Sequence, residues 1–372
     1  MATVDAPEGE RETAEVGAGR GDEPLLSVEA LTTVFYTDRE TIRAVDGIGF
    51  DIHEGETLGI VGESGSGKSV TARSIMGLVE SPGRIEPRSS VRFRGEELTD
   101  LSEKEYRTVR GGGIAMVFQD PLTSLNPVYT VGNQIKEALR LHQGLRGEEA
   151  TERAIELLEA VSIPDAARRV EEYPHQFSGG MRQRAVIAMA LACDPDLLIC
   201  DEPTTALDVT IQAQILELLD DLQEERGLSI LFITHDMGVI AEVSDRVAVM
   251  YAGETVESAP VEELFRSPKH PYTRGLLESI PGRHSDSDRL RTIEGDVPTP
   301  NAAATDCRFA PRCPEVFEDC HEVHPQPVAV GSDDEDHHAA CLLYPEDSSR
   351  DAAVEHHVEL KRKRERTGGE DE

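Results

Sequence analysis

Gly62-Glu63-Ser64-Gly65-Ser66-Gly67-Lys68-Ser69 decides the fold of this chain. The octet fits the pattern G-x-x-x-x-G-K-[ST]. Its glycines let the backbone wrap tightly enough for N–H groups to point at phosphate oxygens. The apolar run Thr57-Leu58-Gly59-Ile60-Val61 before it reads as a buried parallel strand. Ser69 to Leu78 after it reads as a helix, whose positive N-terminal end aims at the same anion. Gly62, Glu63, Ser64, Gly65, Ser66 and Gly67 therefore form the expected cradle of a nucleotide. Lys68 is expected to reach the β- and γ-phosphates, and Ser69 to ligate Mg²⁺.

Leu197-Leu198-Ile199-Cys200-Asp201-Glu202 is a second apolar strand, ending in two carboxylates and stopped by Pro203. Asp201 suits the Mg²⁺ shell, and Glu202 would lie beside the terminal phosphate, where it can polarise an attacking water. Cys200 reads as a small buried apolar residue. Further short runs predict strands over 25–35, 44–52, 114–118, 229–234 and 246–251. Residues 131–161 are expected to be amphipathic and mostly helical, and helices are expected over 182–192 and 211–225, with Gly227 stopping the last. Strands alternating with helices predict an α/β fold around a parallel sheet.

The 372-residue chain carries 72 Asp+Glu against 37 Lys+Arg, a net charge of -35. This surface argues against nonspecific nucleic-acid binding, which needs a basic footprint. A chain this acidic and this poor in lysine resembles proteins of salt-in halophiles such as haloarchaea. At about 1 M salt the Debye length is near 3 Å, so surface carboxylates barely repel one another. No run approaches the roughly 18 consecutive apolar residues of a membrane span. Met1 to Gly21 lacks the apolar stretch of a signal peptide. A cytosolic location is expected, with any membrane contact made through a partner. Residues 1–24 are expected to be a disordered acidic tail, 25–282 the main domain, 283–345 a Cys-rich extension and 346–372 a disordered charged tail.

Phe177-Ser178-Gly179-Gly180-Met181-Arg182-Gln183-Arg184 lies between the two nucleotide motifs. It resembles the signature motif of the ATPase subunits of ABC transporters. The resemblance implies an ABC-type P-loop core with an antiparallel β subdomain and a helical subdomain. It also implies a composite site, in which Ser178, Gly179 and Gly180 bind the γ-phosphate of ATP held by a second ATPase subunit. Gln119 resembles the family's Q-loop glutamine, which touches Mg²⁺ and the attacking water. Asp208 resembles the D-loop aspartate and His235 the switch histidine. An aromatic upstream of the P-loop stacks on adenine in the family; Phe35 is the first candidate and Tyr36 the second.

Residues 120–127, 173–178, 206–214 and 270–273 resemble the ATPases of dipeptide and oligopeptide importers, a group that includes nickel and some sugar importers. That likeness implies two transmembrane permeases, an extracellular substrate-binding protein and a place on the cytoplasmic face of the membrane. Cys307, Cys313, Cys320 and Cys341 leave gaps of five, six and twenty residues. In a cytosolic protein, thiols in fours suggest a metal rather than disulfides. The stretch 307–314 resembles the C-terminal extension of this importer family, in which some members carry a [4Fe–4S] cluster; zinc is the alternative. His321 and His324 are reserve ligands, and Arg312 would offset thiolate charge. A soluble ABC ATPase without a transporter is the rival reading. It is disfavoured because the chain has neither a second cassette nor a long coiled coil.

Overall fold

The computed structural model describes residues 23–205, 207–280, 293–330, 336–346 and 348–367. Strands β1 (Leu26–Tyr36) and β2 (Thr41–Ile52) pair antiparallel and lead into β3 (Thr57–Val61) and α1 (Lys68–Ile75). Next come β4 (Gly83–Ile85), β5 (Ser90–Phe93), β6 (Glu96–Glu97), α2 (Glu103–Val109) and β7 (Ile114–Val117). A helical stretch follows, with α3 (Pro121–Ser124), α4 (Val131–His142), α5 (Gly147–Ala160), α6 (Ala166–Arg169) and α7 (Gly179–Leu191). The chain then alternates through β8 (Leu197–Asp201), α8 (Val209–Arg226), β9 (Ser229–Thr234), α9 (Met237–Val243) and β10 (Arg246–Tyr251). It continues with β11 (Glu254–Pro260), α10 (Val261–Arg266) and α11 (Pro271–Glu278). The C-terminal part adds β12 (Val328–Ala329), β13 (His338–Ala339) and α12 (Arg350–Thr367).

Among the described residues the strands form two sheets. One is antiparallel, in the order β2-β1-β5-β6 with β4 beside β1. The other is mixed, in the order β12-β13-β11-β10-β3-β9-β8-β7. Its centre, from β10 to β7, is parallel throughout. Every residue of β3, β8 and β9 is buried, as expected of parallel strands covered on both faces. Alternate side chains feed two cores. Leu197, Ile199, Leu231 and Ile233 pack with α1 and the antiparallel sheet. Leu198, Cys200, Ile230 and Phe232 pack on the helical side, with α7 and α8. Cys200 is thus core, and burial pushes its thiol up.

Several expectations need correction. The main sheet is not purely parallel, because β10 and β11 form a hairpin closed by Ala252 and Gly253. Both residues have positive φ, 48° and 86°, the backbone of a primed two-residue turn that matches strand twist. The stretch 131–161, expected to be mostly helical, is so, as two helices parted at the turn around Gly144. Residues 346–372, expected to be disordered, contain α12. Ala353 and His357 of this helix are buried, and Val354 and Leu360 pack on small apolar clusters. Positions 353, 354, 357 and 360 share one helix face, the three-four spacing that short apolar positions hid among charges. His357 accepts the Gln326 N–H at 2.9 Å through Nδ1, and Nε2 faces the carbonyls of Cys341 and Tyr344 at 3.2 and 3.1 Å. Burial lowers its pKa, which fits a neutral ring in this geometry. Most of the expected tail 1–24, and residues 283–292 of the expected extension, lie outside the described residues.

Candidate functional site

The strand order builds the site. β3, β9, β8 and β7 are parallel neighbours, so their carboxyl ends lie side by side. Val61 pairs with Thr234, Asp201 with Ile233, and Val117 with Cys200. Just beyond those pairs the chain places Gly62, His235, Glu202 and Gln119. Open parallel sheets bind ligands at this edge.

The octet turns from β3 into α1. Gly67 has a φ of 105°, and a Cβ there would sit 2.3 Å from the Ala44 carbonyl oxygen, so only glycine fits. Lys68 folds back over the loop, its Nζ donating to the carbonyls of Gly62 at 2.7 Å and Glu63 at 3.0 Å. The buried Ser66 hydroxyl has no hydrogen-bond partner among the described residues. Ser69 Oγ donates to Asp201 Oδ1 at 2.8 Å, so two of the three expected Mg²⁺ ligands meet, while the third, Gln119, bonds Glu202. Burial pushes the Asp201 carboxyl above its usual range, and the Ser69 hydrogen bond pulls it back. Burial also lowers the Lys68 ammonium, against the pull of Glu202, Asp201 and Glu63. A phosphate–cation pair would relieve both strains.

Three side chains converge on Glu202. Gln119 Nε2 donates to its Oε2 at 3.0 Å, and Thr205 Oγ1 to the same oxygen at 2.9 Å. His235 Nδ1 lies 3.4 Å from that oxygen. The carboxylate is mostly buried, while His235 and Gln119 are exposed. Glu202 has a φ of 49°, and such strain in a non-glycine residue costs about 1–3 kcal/mol and clusters at functional positions. Its N–H is held by the Ile233 carbonyl at 2.9 Å. Thr205 was missed by sequence reasoning; it sits only three residues from Glu202, yet nothing in its spacing marks it.

The signature turn is placed elsewhere. Ser178 is exposed and caps α7 by accepting the Met181 N–H at 3.3 Å. A Cβ at Gly180 would lie 2.5 Å from an Ile211 methyl, so the glycine permits α7 to abut α8. Gly179 is exposed. Asp208 caps α8, accepting the Ile211 N–H at 3.1 Å. The Ser178 and Asp208 side chains thus bond within their own helix starts rather than to the octet. Tyr36 is exposed and donates to Glu86 at 2.8 Å, whereas Phe35 is half-buried beside Gly83.

Cys307, Cys313, Cys320 and Cys341 line one small cavity of about 10 Å³, room for roughly one water. All four are free thiols. Burial pushes Cys307 up to about 12 and Cys313 up to about 11, and raises Cys320 and Cys341 too. As arranged, no three His, Cys, Asp or Glu side chains among the described residues are gathered closely enough to hold one metal ion. The reserve ligands are engaged elsewhere or outside the cavity lining. His324 Nε2 pairs with Glu254 at 2.8 Å, and His321 does not line the cavity. Arg312 does not serve the thiols either, because its guanidinium is spent on Glu63.

The sequence pattern of the family described as ABC transporter matches residues 45–205. That of the oligopeptide/dipeptide transporter C-terminal region matches residues 256–320. The chain is 55% identical over 306 residues to a candidate peptide import ATP-binding protein of Brucella abortus, covering 82% of this chain and 91% of the relative. It is 50% identical over 325 residues to the oligopeptide transport ATP-binding protein AppD of Bacillus subtilis, covering 87% and 98%. Among solved structures it resembles the dimeric ATP-binding cassette MJ0796 bound to ADP and Pi, with a TM-score of 0.57 at 31% identity, over 63% of this chain and 98% of that one. No helix among the described residues is long and apolar enough to cross a membrane. With the phosphate octet and the paired carboxylates at the carboxyl ends of this sheet's strands, the chain belongs to the ATP-hydrolysing subunits of ABC transporters, in the branch that carries the oligopeptide/dipeptide transporter C-terminal region.

Proposed function

We propose that this chain powers the import of dipeptides or oligopeptides, as one of two ATPase subunits on the cytoplasmic face of a pair of membrane permeases served by an extracellular binding protein. The joint match to the cassette and to the oligopeptide/dipeptide C-terminal region carries this reading. AppD, matched over 98% of its length, is named for oligopeptide transport. The net charge of -35 supports a high-salt setting.

In this reading Gly62 to Ser69 cradle the phosphates, and the Lys68 ammonium leaves the loop carbonyls for phosphate oxygens. Ser69 and Asp201, with Gln119 nearby, would hold Mg²⁺, whose usual shell is one or two protein oxygens plus phosphates and waters. When bound, the ion neutralises developing phosphate charge. Glu202 accepts a proton from the attacking water, held in place by Thr205, Gln119 and His235. Ser178, Gly179 and Gly180 are free of the chain's own octet, which suits them to close on the nucleotide of the second cassette, with Asp208 at that junction. Phe35 would stack on the adenine, with Tyr36 as the alternative.

Reconstituted with its permeases and binding protein, the complex is expected to accumulate labelled oligopeptide only with Mg-ATP. Accumulation of nickel or a sugar, with none of peptide, would replace the cargo assignment.

We propose a metal centre at Cys307, Cys313, Cys320 and Cys341, a [4Fe–4S] cluster ahead of zinc; the four thiols line one cavity of about 10 Å³ and would have to rearrange to hold either group. Such a group would staple the segment to the cassette, with four thiols deprotonated on loading. Anaerobically purified protein is expected to be brown and to contain iron, both lost in Cys307→Ser. Stoichiometric zinc without iron would favour the alternative, and neither metal would refute the centre.

A further inference from the structure

The loop between Cys307 and Cys313 reaches past its own segment to the back of the phosphate octet. Arg312 Nη1 donates to Glu63 Oε2 at 2.6 Å, and Nη2 to Glu63 Oε1 at 3.0 Å. The same guanidinium donates to the carbonyls of Glu294 at 2.9 Å and Ile293 at 3.2 Å, and to the Tyr251 hydroxyl at 3.3 Å. Its side chain is 5% exposed, and Glu63 raises its pKa further. A planar fork bound to both carboxylate oxygens fixes direction as well as distance.

Glu63 is thereby held at three points. Its carboxylate meets Arg312, its N–H donates to the Tyr272 hydroxyl at 2.9 Å, and its carbonyl accepts from Lys68 Nζ at 3.0 Å. Beneath it, the rings of Tyr251, Tyr272 and Phe309 pack within 4.7 to 5.4 Å of one another, centre to centre. A second arginine of the same loop acts on the opposite end of the octet. Arg308 donates to the Ala252 carbonyl at 2.7 Å and pairs with Asp46. The neighbouring Gly253 donates its N–H to the Ser66 carbonyl at 2.8 Å, and accepts the Asp46 N–H at 2.8 Å.

We infer that Arg312 is a positioning residue for the ATPase, acting through Glu63 to hold the octet and its lysine in phosphate-binding geometry. The affinity of the cassette for nucleotide then depends on a residue 249 positions away in the C-terminal segment. The inference rests on the reading of Gly62 to Ser69 as the phosphate cradle.

The test is equilibrium binding of Mg-ATP to the full-length chain, with steady-state hydrolysis alongside. Arg312→Gln is expected to weaken binding about tenfold and to raise KM in proportion, while kcat changes little. Arg312→Lys, which keeps the charge but not the fork, should fall between Arg312→Gln and wild type. The double variant Arg312→Gln, Glu63→Gln should bind no more weakly than the worse single one, because the two side chains act as one unit. A merely structural role predicts another pattern, in which the active fraction falls while the remaining molecules keep wild-type affinity. If Arg312→Gln does not fold, Arg312→Lys and Glu63→Gln carry the same comparison. Wild-type affinity in a folded Arg312 variant, or strictly additive losses at 312 and 63, overturns the inference. Lys68→Ala separates this from failure of the cradle itself: if it too keeps wild-type affinity, the cradle reading is what has failed.

Discussion

Glu202→Gln is expected to lower the rate of ATP hydrolysis by roughly 10² to 10⁴ while leaving Mg-ATP binding close to wild type, because a positioned general base contributes about that much. The substitution keeps the length of the side chain and its place at the end of β8. It removes the negative charge toward which Gln119, Thr205 and His235 converge. The amide can still accept a hydrogen bond, so the local fold is retained, but it cannot accept a proton from water. Phosphate release and nucleotide binding, measured on one preparation, separate the two effects. Hydrolysis at the wild-type rate would show that Glu202 is not the base.

Lys68→Ala is expected to weaken Mg-ATP binding about a hundredfold, the worth of one or two hydrogen bonds to charged groups at about 1.5–3 kcal/mol each. The lysine is held almost fully buried, at a cost that burial imposes on its ammonium. That arrangement makes sense only if an anion compensates when bound. Removing the side chain leaves the carbonyls of Gly62 and Glu63 without their donor. Because the Gly62–Lys68 contact is buried, the fold of the variant is checked by circular dichroism before the titration. Fluorescence titration with a nucleotide analogue reads the loss directly, and unchanged affinity would remove the octet from the binding site.

The parts legible in the sequence were those whose signal is local. β3, β8 and β9 are buried on both faces, so they read as unbroken apolar runs. The octet carries its own context, a strand before and a helix after. The parts that escaped depend on partners far along the chain. Arg312 meets Glu63 across 249 residues, and no spacing rule could pair them. The left-handed backbone of Glu202 depends on its neighbours on β9, where the Ile233 carbonyl fixes its N–H. α12 was hidden by composition, since its few inward positions are diluted by charged residues and one of them is a histidine. The Ala252–Gly253 hairpin escaped because alanine rarely takes a positive φ, and a turn search favours asparagine or aspartate there.

The two-residue strands β12 and β13 have a consequence of their own. β13 pairs antiparallel with β11 through Glu257–Ala339 and Ser258–His338, and β12 pairs with β13. Without them, the eight-stranded sheet would be left with six strands, and β11 would present unpaired backbone donors and acceptors at its rim. Such a rim is a template for adhesion between copies of a protein, and nature commonly blunts it with a very short terminal strand. A cassette cut off before residue 328 should therefore be prone to self-association through β11, even though every nucleotide-binding residue would still be present. The C-terminal segment acts here as a selvedge, finishing the fabric so that it does not catch on its neighbours.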